Sequence, residues 1–258
     1  MNDSQSWSWL IDRCEAGDQG TRRVPSSDKA EVFWARVHSD DQAVYVKKFL
    51  PRSIFDRLKH LAGRVRAQRA AQGSLLLEQH GFSVPQVRHV EIRESRQASF
   101  LITAEVSESQ TVAAVLSDES LSQADRVGFI RELATMIGRL HDAGLYHGDL
   151  QGRNLLYRLV DSQHEFYWLD NERSRSYARI PLTRRMRNLR QLDKIDGAAS
   201  SWERRVFWRA YIAHAKLDAS ERRELLRLVL MTRAHRRLGP IKVPDTISWK
   251  CFGEDLLR

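Results

Sequence analysis

The sequence predicts an α+β fold in two lobes, a small β-rich N-terminal lobe and a mainly helical C-terminal lobe. Alternating apolar and polar residues over residues 22–50 favour a β-meander. Residues 124–143 carry apolar side chains at spacings of three and four, which is typical of one face of a helix. Single hydrophobic cores stop growing at about 250 to 300 residues. A chain of 258 residues can therefore form one large domain or two closely packed lobes.

The N-terminal lobe is predicted to span residues 1–106. Its first strands are expected at EVFWARV and AVYVKKF, which the turn-prone cluster HSDDQ separates. Residues 54–81 are rich in Ala, Leu, Arg and Gln and predict a helix that FSVP ends. Strands are expected again at QVRHVEIR and SFLITAEV, followed by a short connection at residues 105–111.

The C-terminal lobe is predicted to span residues 107–258 and to begin with the strongest helix. Gly144 follows that helix and suits the position just past a helix end. Further helices are predicted at residues 202–215 and from Asp218, where DASE is a capping box, to about residue 234. The apolar positions of the first helix are Val127, Ile130, Leu133, Ala134, Ile137 and Leu140.

Composition indicates a folded protein of a reduced compartment. The chain is 42% hydrophobic and 29% charged, and it holds two cysteines, Cys14 and Cys251, without metal-ligand spacing. The N-terminus lacks the pattern of a secretory signal, and no apolar run is long enough for a membrane span. A cytoplasmic location is expected. Trp7 and Trp9 are expected to dock onto the fold, with a membrane interface as the alternative.

The net charge of +9 belongs to the last third of the chain. From residue 170 onward the chain has 21 Lys and Arg residues but only 11 Asp and Glu residues. Such a field raises the local concentration of an anionic partner, whether nucleic acid, acidic lipid or phosphorylated sugar. Charge alone does not choose among these partners.

Three motifs occur in order along the chain. Lys47 ends the strand-like run VYVK, the segment LYHGDLQGRNLLYRL follows the strong helix directly, and FYWLDNE comes after it. Each residue has an ordinary interpretation when taken alone: an Asp in a loop forms turns, and a Lys on a strand is solvated. The coincidence of these residue types after matching elements favours a shared chemical role.

These motifs resemble those of kinases. His147, Asp149 and Asn154 are similar to the catalytic loop H-x-D-L-x-x-x-N, Asp170 stands where the metal-binding Asp of DFG would stand, and Lys47 matches the V-A-I-K lysine. The resemblance implies a protein-kinase-like fold that uses ATP and Mg²⁺. Asp149 would accept the proton of the substrate hydroxyl, Asn154 and Asp170 would bind the metal, Lys47 would hold phosphates, and His147 would support the loop.

Within this superfamily the chain is most similar to the lipopolysaccharide kinase family over residues 22–212. The likeness lies in the short span between VKKF and GFSVP, and in HGDLQGRNLLY, LDNERSR, RMRNLRQL and FWRAYI. It implies phosphorylation of a sugar hydroxyl, of Kdo or heptose, in the lipopolysaccharide inner core. An acceptor at the inner face of the inner membrane, with peripheral membrane contact, is expected, and nucleic acid is not.

A cluster of arginines after Asp170 is expected to bind an anionic acceptor, because Arg forks hold phosphate and carboxylate groups bidentately. The alternative is a solvated helix face paired with acidic neighbours. The residues are Arg173, Arg175, Arg184, Arg185, Arg187 and Arg190.

Two departures from the kinase pattern keep other functions open. The loop PSSDKAE has no glycine, so Ser26 and Ser27 are expected to replace the backbone phosphate cradle, with Glu105 as a further nucleotide-binding residue. The predicted helix offers only the late Glu78 as an acidic partner for Lys47. The alternatives are an aminoglycoside- or choline-like phosphotransferase and a non-catalytic pseudokinase that binds a partner.

Overall fold

The computed structural model describes residues 3–26, 30–37, 43–50, 65–93, 98–192 and 200–238. The chain forms two compact units. The first comprises residues 1–109 and 167–174, and the second comprises residues 110–166 and 175–258. The predicted α+β class is confirmed, with an antiparallel sheet in the first unit and a mainly helical second unit.

The first unit is built on a five-stranded antiparallel sheet in the order β1-β2-β3-β5-β4. Each strand of the predicted meander is confirmed. Successive side chains of a strand point to opposite faces of the sheet, and each face buries its own set. The third strand lies at the centre of the sheet, where Lys47 is opposite Val32 on one neighbour and Leu101 on the other. The strands are β1 (Thr21–Val24), β2 (Ala30–Arg36), β3 (Ala43–Phe49), β4 (Val87–Arg93) and β5 (Ala98–Ala104).

A helix covers each face of this sheet. Helix α1 (Asp3–Ala16) buries Leu10, Ile11 and Cys14 against a cluster that includes Val44 and Val46. Helix α2 (Arg66–Gln79) packs through Ala67 and Ala70 on the face that carries Phe49. The predicted helix at residues 54–81 is confirmed from Arg66 onward, and its start lies outside the described residues. Helix α1 was not predicted.

Neighbouring lysines of β3 point to opposite faces, as strand alternation predicts. Lys48 faces α1, where its ammonium lies 2.6 Å from a Glu15 carboxylate oxygen and 3.2 Å from one of Glu31. Burial lowers the pKa of Lys48, but hydrogen bonds to the two carboxylates outweigh it and raise that pKa above its usual value. Lys48 thus fastens α1 to the sheet and leaves Lys47 on the α2 face.

The N-terminal tryptophans of α1 have different surroundings. Trp7 packs against the cluster beneath α1 and stacks with His89 at a ring separation of 6.5 Å. Trp9 is 49% exposed, with the Arg13 guanidinium 4.7 Å above its ring. Docking onto the fold therefore describes Trp7, whereas Trp9 lies at the surface.

The second unit contains five helices within the described residues. The predicted helix at residues 124–143 is confirmed as α4, which starts behind the Ser122 cap and ends before Gly144 at φ +76°. Both later helices begin with capping boxes, at Ser200 with Glu203 and at Asp218 with Glu221. The helices are α3 (Val112–Ser117), α4 (Gln123–Asp142), α5 (Leu182–Leu192), α6 (Ser201–His214) and α7 (Ala219–Leu238).

Short strands connect these helices. Strands β8 (Leu155–Val160) and β9 (Gln163–Trp168) form a hairpin, which β6 (Gln110–Thr111) extends at the β8 edge. Strand β7 (Leu145–Tyr146) pairs with β10 (Arg175–Ser176). Across the described ranges no helix is both long enough and apolar enough to cross a membrane.

Candidate active site

Lys47 and Asp170 form an ion pair in the first unit. Lys47 Nζ lies 2.9 Å from Asp170 Oδ1, and the two side chains are 23% and 30% exposed. Lys47 Nζ also lies 5.0 Å from the centroid of the Phe49 ring, two residues further along the same face of β3. Two of the predicted site residues, far apart in sequence, are therefore together.

The chain just before Asp170 is anchored in the first unit. Trp168 is fully buried, meets Phe82 edge to face at 6.1 Å, and donates its backbone N–H to Ser83 O at 3.0 Å. The sequence prediction had assigned everything after residue 106 to the C-terminal lobe. Residues 167–174 lie in the first compact unit, within which Trp168 packs against Phe82.

The segment after Asp170 lies against helix α2. Asp170 itself adopts a left-handed backbone conformation with φ +57°, which an Asp tolerates better than most residues. Asn171 is buried and donates its amide to Ser74 Oγ at 3.0 Å and to Trp168 O at 3.1 Å. Gly73 makes this approach possible, since a Cβ there would lie 2.0 Å from Asn171 O.

The second unit carries the predicted catalytic loop, in which two amide side chains hold the Asp149 carboxylate. Gln151 Nε2 donates to Asp149 Oδ1 at 2.6 Å, and Asn154 Nδ2 donates to Asp149 Oδ2 at 3.1 Å. Asn154 Nδ2 also donates to the backbone carbonyl of Asp149 at 2.8 Å. Asp149 is half-buried, so it stays partly accessible while the two amides fix its orientation.

Helix α5 supports this loop through backbone contacts. Asn188 Oδ1 accepts the N–H of His147 at 3.3 Å, and Asn188 Nδ2 donates to the His147 carbonyl. Gln191 accepts the N–H of Leu150 at 3.2 Å and donates to the Gly148 carbonyl at 3.3 Å. His147 is fully buried, and its Nδ1 accepts the N–H of Asp149 at 3.3 Å, a geometry that favours a supporting role.

Arg185 departs from the sequence prediction of a substrate-binding residue. It is 4% exposed, and its guanidinium donates to Ala215 O at 2.9 Å and to His141 O at 3.2 Å. The side chain lies on the inner face of α5, three residues before Asn188, and joins helix ends inside the unit. Arg185 is therefore structural.

The other predicted arginines lie at the surface or close to it. The Arg184 guanidinium lies 5.4 Å from the centroid of the Tyr146 ring, and Arg173 Nε lies 3.6 Å from Glu172 Oε1. Arg190 is half-buried. The exposed members of the cluster are Arg173, Arg175, Arg184 and Arg187. Their role toward an acceptor stays a prediction.

Ser26 and Glu105, which are expected to contact the nucleotide, form hydrogen bonds within the first unit. Ser26 donates its hydroxyl to Ala30 O at 2.8 Å, and Ser27 lies outside the described residues. Glu105 accepts hydrogen bonds from Trp34 Nε1 at 3.0 Å and from the Tyr45 hydroxyl at 3.5 Å. Burial and the Glu105 charge raise the pKa of Tyr45. Nucleotide contacts of Ser26 and Glu105 stay predictions.

The donor atoms of the predicted metal ligands suit Mg²⁺. Asp170 supplies carboxylate oxygens, and because the Asn154 amide nitrogen donates to Asp149, the Asn154 oxygen is the atom available to a cation. No group of three or more His, Cys, Asp or Glu side chains in the described ranges could hold a metal alone. Proteins commonly bind Mg²⁺ that is carried by phosphates through one or two carboxylates, and Asp170 can supply one.

Sequence reasoning missed the residues that orient the predicted site, namely Gln151, Asn188 and Gln191. A signal was present in α5, where Arg185, Asn188 and Gln191 recur at a spacing of three. Three polar side chains on the face shared with Leu189 and Leu192 indicate buried hydrogen bonding.

A buried histidine adjoins this support. His141 is fully buried, its Nε2 lies 3.1 Å from Asn188 Oδ1, and its Nδ1 lies 2.9 Å from the Tyr211 hydroxyl. Because Asn188 Oδ1 can only accept, the neutral ring donates from Nε2 and accepts at Nδ1. Burial, together with a smaller effect of the Arg185 charge, lowers the pKa of His141 from 6.5 to about 3, although the hydrogen bond with Asn188 acts in the opposite direction. Burial also raises the pKa of Tyr211 to about 12.

We expect this histidine to make stability depend on pH. Between pH 6.5 and about 3 the unfolded chain binds a proton at His141 that the folded chain does not. The free energy of unfolding therefore falls as pH decreases below 6.5, by up to about 1.4 kcal/mol per pH unit from this group. Urea unfolding at pH 7.5 and pH 5 measures the loss, and His141→Gln should reduce it. Equal pH dependence in both proteins would contradict the assignment.

The five-stranded sheet with a helix on each face, followed along the chain by a mainly helical unit, is a kinase-like fold. The solved structure of WaaP in complex with acyl carrier protein shares this fold, with a TM-score of 0.62 and 19% identity. The likeness covers 90% of this chain and 93% of that chain.

The lipopolysaccharide kinase (Kdo/WaaP) family model matches residues 9–211, more than half of the chain. The chain belongs to this family, and the expected fold and family are confirmed. The KEOPS complex subunit Bud32 of Pyrococcus abyssi (strain GE5 / Orsay) is 27% identical over 117 residues, 44% of this chain. The chain spans about half of that relative's length, 48%.

Proposed function

We propose that the protein is an ATP-dependent kinase that phosphorylates a sugar hydroxyl, of Kdo or heptose, in the lipopolysaccharide inner core. The observation that carries the proposal is the Asp149 carboxylate, which two amides orient in a loop of the kinase pattern. Family membership supports the class of acceptor. The Lys47–Asp170 pair supplies the cation and carboxylate that such chemistry requires.

Each of these residues would have a separate role in phosphoryl transfer. Asp149 would orient the acceptor hydroxyl and take its proton as the oxygen attacks the γ-phosphorus of ATP. Lys47 would hold the phosphates as a compact charge, and Asp170 with Asn154 would hold Mg²⁺. Magnesium, when bound, neutralises charge on the phosphates. The bond between the γ-phosphorus and its bridging oxygen breaks, and ADP leaves.

The acceptor is proposed to be anionic because exposed arginines follow Asp170. Arg173, Arg175, Arg184 and Arg187 present guanidinium groups that suit phosphate and carboxylate, both of which inner-core sugars carry. A cytoplasmic protein that reaches its acceptor at the inner face of the inner membrane would satisfy this chemistry. The exposed Trp9 beside Arg13 would suit a peripheral membrane contact.

The decisive test is ATP-dependent transfer to defined acceptors. The purified protein with Mg²⁺ and ATP is incubated with deacylated core oligosaccharide, and mass spectrometry is expected to show one added phosphate on a Kdo or heptose residue. Omitting Mg²⁺ should abolish the product. Transfer to an aminoglycoside or choline instead would identify a small-molecule phosphotransferase.

Nucleotide binding is tested separately. Mg-ATP at about 100 times its Kd should stabilise the fold by about 2.7 kcal/mol in thermal unfolding. A protein that shows no stabilisation at any concentration, and no transfer, would be a binding module rather than a kinase.

A further inference from the structure

An ion pair links helix α2 to the segment that follows Asp170. Arg66 Nε lies 2.8 Å from Glu172 Oε2, and Arg66 Nη2 lies 3.1 Å from Glu172 Oε1. The side chains are 12% and 7% exposed, so solvent screens this bidentate pair only weakly. Arg66 occupies the first position of α2, and Glu172 stands two residues after Asp170.

The helix carries the opposite charge in this pair from the one it carries in protein kinases. There a glutamate on the helix pairs with the third-strand lysine. In α2 the acidic residue is Glu78, which is exposed and stands in the last turn, and the first turn has no acidic residue. Here the helix supplies the cation Arg66, the segment after Asp170 supplies the anion Glu172, and Lys47 pairs with Asp170 directly.

Several contacts with helix α2 act on the short segment from Asp170 to Glu172. Asn171 between them donates to Ser74 on α2, and its backbone oxygen lies against Gly73. The Arg66 guanidinium lies 4.7 Å from the centroid of the Phe49 ring, and the Lys47 ammonium lies 5.0 Å from the same centroid. The two cations whose partners are Glu172 and Asp170 thus both lie near the Phe49 ring.

We propose that Arg66 and Glu172 are positioning residues that hold the Asp170 carboxylate in the orientation required for metal binding, an inference that rests on the proposed function. Neither side chain needs to contact metal or nucleotide. Their effect is carried by the two backbone units between Asp170 and Glu172.

Glu172→Gln tests the proposal because glutamine keeps the shape and removes the charge. We expect the affinity for Mn²⁺, measured by electron paramagnetic resonance with a non-hydrolysable ATP analogue, to fall about 10- to 100-fold. The Mg²⁺ concentration for half-maximal velocity should rise similarly, while KM for the acceptor changes less than about twofold, because Arg66 and Glu172 are only 12% and 7% exposed. Arg66→Lys, which keeps charge but loses the second hydrogen bond, should lie between wild type and Glu172→Gln.

The matched control is Glu224→Gln on α7. Glu224 forms a bidentate pair with Arg227, with both contacts at 2.8 Å, on the exposed surface of the second unit. This variant should keep wild-type metal affinity and velocity. The exchange Arg66→Glu with Glu172→Arg should recover most of the metal affinity that either single change removes.

The possible outcomes distinguish a failure of this inference from a failure of the proposed function. A lower melting temperature in Glu172→Gln with unchanged Mn²⁺ affinity and unchanged Mg²⁺ dependence would show a merely structural pair and overturn the inference. Wild-type protein that binds Mn²⁺ and nucleotide but transfers no phosphate would overturn the proposed function, and the Mn²⁺ affinities would still decide the role of the pair. Loss of binding in a variant counts only if its circular dichroism spectrum matches that of the wild type.

Discussion

Asp149→Ala is expected to lower kcat for phosphate transfer to core oligosaccharide by about 10²- to 10⁴-fold, the usual contribution of a general base. The carboxylate is half-buried, and its side-chain partners are the amides of Gln151 and Asn154 within the same loop. Water can satisfy those amides once the carboxylate is removed. The free energy of unfolding should therefore change by less than about 1 kcal/mol.

Asp161→Asn is the matched control for this change. Asp161 is an exposed residue at the tip of the β8–β9 hairpin, with φ +48°, a conformation that asparagine accepts. It removes one negative charge from the same unit and should leave kcat at the wild-type value. Steady-state kinetics of both variants gives the comparison. Activity of Asp149→Ala within a few-fold of wild type would remove the proposed base.

Gly73→Ala is expected to destabilise the first unit by about 3 kcal/mol, toward the upper end of overpacking costs. The added methyl would lie 2.0 Å from Asn171 O and 2.8 Å from Asn171 C, so a backbone rather than a flexible side chain would have to move. That movement would also displace Asp170, and we expect kcat to fall more steeply than stability alone requires. Urea unfolding and kinetics on the same preparation separate the two effects.

Gly128→Ala in α4 provides the contrast. A Cβ at Gly128 would meet no atom within 4 Å, so the substitution should stabilise the helix by about 0.5 to 1 kcal/mol. Opposite signs for the two substitutions would establish that close packing, rather than glycine flexibility, explains Gly73. A stable and fully active Gly73→Ala protein would contradict the contact with Asn171.

The regular elements were the most predictable part of the structure because their signals are local. The central strands and α4 follow from side-chain periodicity, and the capping boxes at Ser200 and Asp218 mark helix starts directly. Helix α1 was missed although Trp7, Leu10, Ile11 and Cys14 have helical spacing. Its polar neighbours concealed an apolar face that is completed only by the sheet.

The predicted site was less accessible to sequence reasoning because its supports act over long distances and through the backbone. The motifs predicted Lys47, Asp149, Asn154 and Asp170. The supporting hydrogen bonds go to backbone atoms, and the type of a residue does not reveal whether its backbone carbonyl accepts one. Arg185 was misassigned for a related reason. A row of arginines does not show which members face inward until the helix is placed among its neighbours.

The manner in which α5 holds the predicted catalytic loop also bears on how the sequence of this protein can diverge. Asn188 and Gln191 bond to main-chain atoms of residues 147, 148 and 150, which every amino acid except proline supplies alike. Mutations can therefore change the outward-facing side chains of the loop without removing these hydrogen bonds. The side chains that the loop presents and the support of its backbone therefore depend on different residues, so selection can change the first and preserve the second.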